Sequence, residues 1–272
     1  MTATEKRFQK AMERAEYISA HINWTDALLK RVNDCLFEKD GEMTRERFTR
    51  EIAKRIFRTG SPVNVTHHGE NTKLDGILSI STIQTANEWC KILSKIKGSI
   101  CESCYAKAYI KRRPELRLAL CCNYIILTQY LLEDEDIPKL RCVFARIESF
   151  GDLEKPENGG ITQSRNYVKI IKINYRTKWE WHTKHKEEMQ IGINLEGGKP
   201  DNLKCVYSSL MVNEEMSLDK LRETCHCIDS VFTVYDSQYI AKYHVNINCG
   251  SNDCWNCARC YLGEGYIREK KK

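Results

Sequence analysis

Seven of the fourteen cysteines in this chain fall into two spaced groups that suit metal binding. The C-terminal group is Cys249, Cys254, Cys257 and Cys260, with the spacing C-x4-C-x2-C-x2-C. Four thiolates so close in sequence can hold a tetrahedral zinc ion or a four-iron cluster. The small residues Gly250, Ser251 and Asn252 allow the chain to turn around such a centre. Because the two short gaps are more typical of ferredoxin-type ligation than of a zinc ribbon, we expect an iron–sulfur cluster here.

The other group is Cys90, Cys101 and Cys104, with the spacing C-x10-C-x2-C. Three thiolates leave one position vacant, and the vacant iron of a cluster can chelate an outside ligand such as S-adenosylmethionine. The group lies between a strand candidate and a long helical segment, and barrel folds place their chemistry at strand ends. Alternatively, Cys90 is a buried helix residue, and only Cys101 and Cys104 bind metal as half of a zinc site.

The remaining cysteines are Cys35, Cys121, Cys122, Cys142, Cys205, Cys225 and Cys227. Free cysteine is commonly buried as a small hydrophobic residue, and we expect the first five in the core. Cys225-His226-Cys227 brings two thiols and an imidazole together, but adjacent residues tend to point to different sides, so a ligand role is the weaker hypothesis. The histidines of the pairs 67–68 and 182/185 show no partner in the sequence and are expected at the surface or satisfied locally.

Composition indicates an intracellular globular protein. The N-terminal segment is charged throughout and lacks the apolar centre of a secretory signal, and no stretch reads as a membrane-spanning helix. We therefore expect a cytoplasmic protein without membrane contact, where disulfides are rare and clustered cysteines are typical of metal ligands. The net charge of +6 is compatible with nucleic-acid contact but does not require it.

The order of predicted elements indicates an α/β fold. Residues 1–60 carry apolar residues at helical spacing, with Thr44 as a helix cap and Gly60 past a helix end. Residues 105–133 are predicted helical with a break at Pro114. The strand candidates are 76–83, 142–147, 168–175, 189–195, 204–211 and 231–235.

This alternation predicts a partial (β/α) barrel with a parallel sheet, and an open doubly wound sheet is the structural alternative. We expect two parts: a helical N-terminal region, 1–60, and a cysteine-rich α/β domain, 61–272, that ends in the C-terminal metal-binding group.

Several motifs together resemble the phage proteins of the gene product 88 family. The matching segments are Asn71-Thr72-Lys73, Ser79-Ile80-Ser81-Thr82, Asn87 with Cys90, Cys101-x2-Cys104-Tyr105-Ala106, 146–153, 179–184 and Asn248-Cys249-Gly250. The resemblance covers residues 70–262 and leaves the N-terminal helices outside it.

The family is itself distantly similar to radical S-adenosylmethionine proteins, and the resemblance implies a corresponding site. Cys90, Cys101 and Cys104 would hold the reactive cluster after the first strand. Ser149, Gly151 and Asp152 would lie at the end of the second strand and help to place S-adenosylmethionine. The C-terminal cysteines would hold an auxiliary cluster, so one or two four-iron clusters are implied. The first gap here is longer than in the usual radical motif C-x3-C-x2-C.

Two other functions agree with the sequence. One is a zinc-stabilised nucleic-acid-binding protein of a mobile element, in which the basic tail 268–272 and the N-terminal arginines contact phosphates and Trp179, Trp181 and Trp255 stack on bases. The other is a phage protein that interacts with a host partner and whose metal centres serve only stability. A phage-encoded chain would work in the host cytoplasm.

Overall fold

The computed structural model describes residues 1–70, 72–250, 253–263 and 265–271. Three sequence predictions therefore fall in part outside the described residues: the family motif at Asn71, the turn at Ser251 and Asn252, and the basic tail at Lys272.

Within the described residues, seven strands form one sheet. The strands are β1 (Thr66–His67), β2 (Leu78–Ile80), β3 (Phe144–Ile147), β4 (Lys178–Thr183), β5 (Leu203–Ser208), β6 (Ile228–Tyr235) and β7 (Gly265–Lys270). Their order across the sheet is the same as their order along the chain. The short β1 is antiparallel to β2, and every other neighbouring pair is parallel.

The first three helices precede the sheet, and the others lie between its parallel strands. The helices are α1 (Ala3–Ala20), α2 (Asp26–Asn33), α3 (Arg45–Thr59), α4 (Glu88–Leu93), α5 (Tyr105–Lys111), α6 (Pro114–Gln129), α7 (Gly160–Ile173), α8 (Lys186–Leu195), α9 (Leu218–Thr224), α10 (Ser237–Tyr243), α11 (Cys254–Cys257) and α12 (Arg259–Leu262). A parallel pair needs a crossover of this kind, because the chain must return to the same end of the sheet. The predicted α/β class with a mostly parallel sheet is confirmed.

The three N-terminal helices begin where the sequence indicates. The side chains of Thr2, Thr25 and Thr44 each accept a hydrogen bond from the first turn of the helix that follows. The apolar sides of α1 and α3 pack on each other, and buried Ile18 and Ile52 belong to the same hydrophobic core as the helices and strands of the sheet. Residues 1–60 are therefore joined to the rest of the chain by a shared core.

Helix α6 is the most apolar helix of the fold, and its first residue is the Pro114 that the sequence marks as a break. Cys121 and Cys122 are fully buried in it, as predicted. Cys35 and Cys205 are also buried, whereas Cys142 is only half-buried. In the described part of the chain, no helix has both the length and the apolar character needed to cross a membrane.

Strand β4 divides its side chains between the two faces of the sheet. Trp179 and Trp181 are fully buried on the helix-covered face, where Trp181 packs edge-on against Tyr167 of α7 at 5.4 Å between ring centroids. Glu180 and His182 lie on the opposite face, because successive strand residues alternate. We call this opposite side the inner face.

Two predicted strands are wrong. Residues 168–175 and 189–195 lie largely in α7 and α8. Both segments are short apolar runs, and such runs do not distinguish a buried strand from the buried side of a helix. Strand β4 was missed because charged and aromatic residues alternate along it, and β7 because it is a charged edge strand. The strands predicted near 78, 144, 205 and 231 are confirmed.

Candidate metal centres at the edge and inner face of the sheet

Polar residues collect where β2, β3 and β4 end. Thr82 follows β2, the segment 148–152 follows β3, and Lys184 follows β4. The carboxyl ends of neighbouring parallel strands meet at one edge of a sheet, which is where ligands bind in open α/β sheets. The first cysteine group also follows β2, with Cys90 in α4 and Cys104 directly before α5.

The structure brings the three cysteines of this first group into one locality. Burial raises the pKa of the Cys90 thiol, and the nearby Asp152, Cys101 and Cys104 raise it further. Burial likewise raises the pKa of Cys101, and the nearby Asp152 and Cys104 raise it further. Among the described residues, no three of the cysteine sulfurs lie within 4.8 Å of one another. The thiols are therefore neighbours, but they are too far apart to bind one metal ion together without a change in side-chain position.

Asp152 is buried beside this group and is paired with Lys184. Its carboxylate accepts hydrogen bonds from the Lys184 Nζ at 3.1 Å, the Lys184 backbone at 3.3 Å and the Thr183 hydroxyl at 2.5 Å. Burial would raise the pKa of Asp152, but the positive charge of Lys184 lowers it below its usual value. Burial would lower the pKa of Lys184, but the nearby Asp152, Cys101 and Cys90 raise it. Lys184 is thus the cation shared by the carboxylate and the thiols.

Ser149 and Gly151 lie close to Asp152 in sequence, and only Ser149 has a side-chain group that could bind a ligand. The Ser149 hydroxyl is buried and has no hydrogen-bond partner among the described residues, while the Ser149 carbonyl accepts a hydrogen bond from Tyr105. A Cβ atom at Gly151 would lie 2.6 Å from Glu148 Oε2 and 2.8 Å from Thr82 Oγ1. Packing therefore already requires glycine at 151, whereas Ser149 retains a free hydroxyl.

Glu148 is a buried residue to which the sequence assigned no role. Its carboxylate accepts hydrogen bonds from the Thr82 backbone at 3.1 Å, the Thr82 hydroxyl at 2.8 Å and the Gln163 amide at 2.8 Å, and from the Tyr167 hydroxyl. Burial raises its pKa to about 7. Glu148 thereby ties the ends of β2 and β3 to α7 and supports the edge where Asp152 lies.

An aromatic pair forms another part of this edge. Trp89, next to Cys90, stacks on His185 with 5.0 Å between ring centroids, and the Lys155 ammonium lies over the indole. The indole Nε1 and the imidazole Nε2 are buried and lack a hydrogen-bond partner in the described part of the structure. The expectation that His185 is a surface or satisfied histidine is therefore wrong.

The C-terminal cysteine group lies over the inner face. Tyr261 packs against Phe144 at 4.6 Å between ring centroids, and Trp255 approaches Phe144 edge-on at 5.2 Å. Phe144 and Tyr261 form with Ile77 a small hydrophobic cluster separate from the main core. The Cys254 backbone N–H donates to the Lys73 carbonyl at 2.9 Å, which attaches α11 to the loop before β2.

Lys73 also lies among the sulfurs of this group. Its Nζ is 3.6 Å from Cys249 Sγ and 2.7 Å from Glu269 Oε1. Burial raises the pKa of Cys249, and the nearby Cys257 raises it further. Burial also raises the pKa of Cys254, to about 11. Cys257 is exposed. The four sulfurs of this group are neighbours. As in the first group, no three of them lie within 4.8 Å of one another among the described residues.

Cys260 lies beside β4. Its Sγ, a carboxylate oxygen of Glu180 and a ring nitrogen of His182 all lie within 4.8 Å of one another. Arg146 of β3 approaches the same carboxylate, with 3.4 Å between Nη1 and Glu180 Oε1, and lowers the pKa of Glu180 to about 2 against the effect of burial. His182 is buried and is therefore not a surface histidine, and its Nε2 lies 3.4 Å from Glu180 Oε2.

The Cys225-His226-Cys227 segment does not join these sites. It precedes β6, at the opposite edge of the sheet from Lys184 and Asp152. Cys225 and Cys227 are buried with 3.4 Å between their sulfurs, whereas His226 is exposed. The two thiols and the imidazole therefore point to different sides, as expected for alternating residues.

Comparison with known proteins yields no relative: no family model matches the chain, and neither a curated protein nor a solved structure matches it. The function must accordingly be argued from the residues described above.

Proposed function

We propose that this chain is an iron–sulfur protein of a phage or mobile element, built on a partial barrel similar to that of radical S-adenosylmethionine proteins. Cys90, Cys101 and Cys104 would hold the first cluster. The observation that carries the proposal is the gathering of Cys90, Cys101 and Cys104 beside the buried carboxylate of Asp152 at the carboxyl ends of the parallel strands.

The strand order supports the partial barrel. The parallel strands follow one another in chain order, without the reversal that creates a switch point in doubly wound sheets. Consecutive right-handed crossovers then place their helices on the same side and leave the inner face for ligands. The gene product 88 resemblance agrees with this arrangement, since most of its motifs lie at this edge.

The donor sets fit iron–sulfur ligation better than a zinc ion in either cysteine group. Thiolates on one tetrahedral zinc lie about 3.8 Å apart, given a zinc–sulfur bond of about 2.3 Å. The sulfurs here are spread more widely, which suits a cluster, because each thiolate then binds a different iron. A reduced cluster with a vacant iron would supply the electron that cleaves bound S-adenosylmethionine to a 5′-deoxyadenosyl radical.

The chain's own residues have definite roles in this proposal. The free Ser149 hydroxyl would donate to the amino acid portion of the cofactor, and Lys184 would balance the charge of Asp152 and the thiolates. The Trp89–His185 pair would exclude water from the side of Cys90. Gly151, which has no side chain, would allow Glu148 and Thr82 to pack directly against the backbone of this segment.

The alternative, a zinc-stabilised nucleic-acid-binding protein, has less support. Trp179 and Trp181 are fully buried and cannot stack on bases, which leaves Trp255 with 37% of its surface exposed. This alternative predicts DNA or RNA binding that weakens steeply with salt.

Anaerobic purification with visible absorption, iron and sulfide analysis tests the proposal. We expect a coloured protein whose iron content falls in Cys101→Ser and is unchanged in Cys142→Ser, a matched control for a cysteine outside both groups. A colourless protein with stoichiometric zinc would overturn it. If iron is present, dithionite and S-adenosylmethionine should yield 5′-deoxyadenosine with the wild type and none with Cys101→Ser, and no cleavage by the wild type would refute the radical chemistry.

A further inference from the structure

We infer that Glu180, His182 and Cys260 form a separate mononuclear site for a zinc-type divalent metal on the inner face of the sheet. This inference does not depend on the proposed function. It takes Cys260 out of the C-terminal group and leaves Cys249, Cys254 and Cys257 for that centre.

The distances suit a single ion. His182 Nε2 lies 3.4 Å from Glu180 Oε2, and the sulfur of Cys260 lies within 4.8 Å of its two partners. Ligand atoms on one tetrahedral zinc lie about 3.3–3.8 Å apart, since the zinc–ligand bonds are about 2.0–2.3 Å long. A small movement of the Cys260 side chain would complete the arrangement.

Two of the three ligand atoms are buried and face each other. Glu180 Oε2 and His182 Nε2 lie 3.4 Å apart, but neither makes a hydrogen bond of good geometry to any described residue, and the two side chains are only 2% and 8% exposed. Leaving a buried polar atom unsatisfied costs about 1–3 kcal/mol. Such atoms need an explanation, and a bound ion between them supplies one.

The other ring nitrogen of His182 and the other carboxylate oxygen of Glu180 each have a neighbouring residue. His182 Nδ1 lies 3.5 Å from the Ser208 hydroxyl, which leaves Nε2 directed at Glu180. Arg146 approaches Oε1 of Glu180, so that Oε2 is the oxygen that faces His182. Metal-binding histidines and carboxylates are commonly oriented in this way by a second partner.

The donor chemistry selects the class of metal. One nitrogen, one oxygen and one sulfur ligand suit zinc, whereas magnesium and calcium take oxygen ligands. Three protein ligands leave a fourth position for water or substrate, as in catalytic zinc sites. The buried Tyr261 hydroxyl, which also lacks a partner in the described residues and interacts electrostatically with Glu180 and Cys260, would hydrogen-bond the fourth ligand.

The test compares zinc and iron content of the anaerobically purified full-length chain. We expect one zinc per wild-type chain, and zinc affinity reduced about 10–100-fold in Glu180→Gln and His182→Ala with iron unchanged. Cys257→Ser is the matched control, because it removes a cysteine of the same segment that lies outside this site, and it should retain the zinc.

Cobalt titration adds a readout of the sulfur ligand. Co²⁺ bound to the zinc-depleted wild type should show a thiolate-to-cobalt absorption band in the near ultraviolet that Cys260→Ser lacks. Glu180→Gln preserves the size of the side chain, so circular dichroism should show a folded protein. Equal zinc content in the wild type, Glu180→Gln and His182→Ala would overturn the site, as would failure of the wild type to bind Zn²⁺ or Co²⁺. Loss of iron from Cys101→Ser reports on the proposed function alone.

Discussion

The two cysteine groups are positioned by different kinds of contact. The first lies at the ends of central strands, where Asp152 and Glu148 are fully enclosed by hydrogen-bond donors from neighbouring elements. In the second, Cys254, Cys257 and Cys260 lie on two short helices that are held over the inner face by a few aromatic contacts, and Lys73 lies beside Cys249. One group is placed by the buried polar network of the sheet, the other by local packing.

This difference predicts different sensitivities. Buried charged pairs are costly to break because the remaining partner stays desolvated, whereas half-exposed pairs are screened by solvent. Substitutions around the first group should therefore reduce the free energy of unfolding strongly, and those around the second only slightly, unless a bound metal supplies most of the stability there.

The largest effect is expected for Asp152→Asn. The side chain keeps its shape, but Lys184, only 18% exposed, loses the buried carboxylate that pairs with it, and breaking a buried pair costs about 3–5 kcal/mol. Urea unfolding should show this loss, while Asp201→Asn at an exposed position should change stability by less than about 0.5 kcal/mol. Equal effects of the two substitutions would show that the network does not distinguish the first group.

Glu148 should make stability depend on pH. Its pKa is raised from 4.5 to about 7 in the folded protein, so the folded state binds more protons than the unfolded state between these values. The free energy of unfolding should therefore fall as pH rises through this window, by about 3 kcal/mol in total.

Urea titrations at several pH values check this contribution. Glu148→Gln should flatten the profile between pH 4.5 and about 7, whereas Glu16→Gln at an exposed position should leave it unchanged. Parallel profiles for the wild type and Glu148→Gln would contradict the prediction.

Around the second group, Trp255→Ala should cost about 2 kcal/mol. The substitution removes a half-buried aromatic ring and its edge-on contact with Phe144, and such pairs contribute about 0.5–1.5 kcal/mol beyond burial. Tyr175→Ala, which truncates an aromatic ring that is 66% exposed, should have little effect in the same unfolding experiment. A loss as large as that of Asp152→Asn would remove the contrast between the two regions.

The smallest effect is expected for Glu269→Gln. The Lys73–Glu269 pair is partly exposed, with 29% and 21% of the two side chains accessible, and pairs of this kind contribute about 0.2–1 kcal/mol. The loss should shrink further at high salt. A loss above about 2 kcal/mol that persists in high salt would show that Lys73 is part of a buried network.

Much of the scaffold could be predicted from local patterns. The cap at Thr44, the break at Pro114 and four of the strands follow from residue type and spacing. The helices α7 and α8 were mistaken for strands because their apolar runs are short, and β4 was missed because one of its faces is polar. In each case the partner surface, which sequence periodicity does not contain, decides the structure.

The candidate sites show the same division. Thiolate chemistry and close spacing identify both cysteine groups, since ligands close in sequence need little help to approach one metal. The pairing of Asp152 with Lys184 and the meeting of Cys260 with Glu180 and His182 depend on which strands are neighbours and which face each residue occupies. Contacts between residues so far apart in sequence arise only when the sheet has formed, because strand order and side-chain alternation, not local sequence, bring them together.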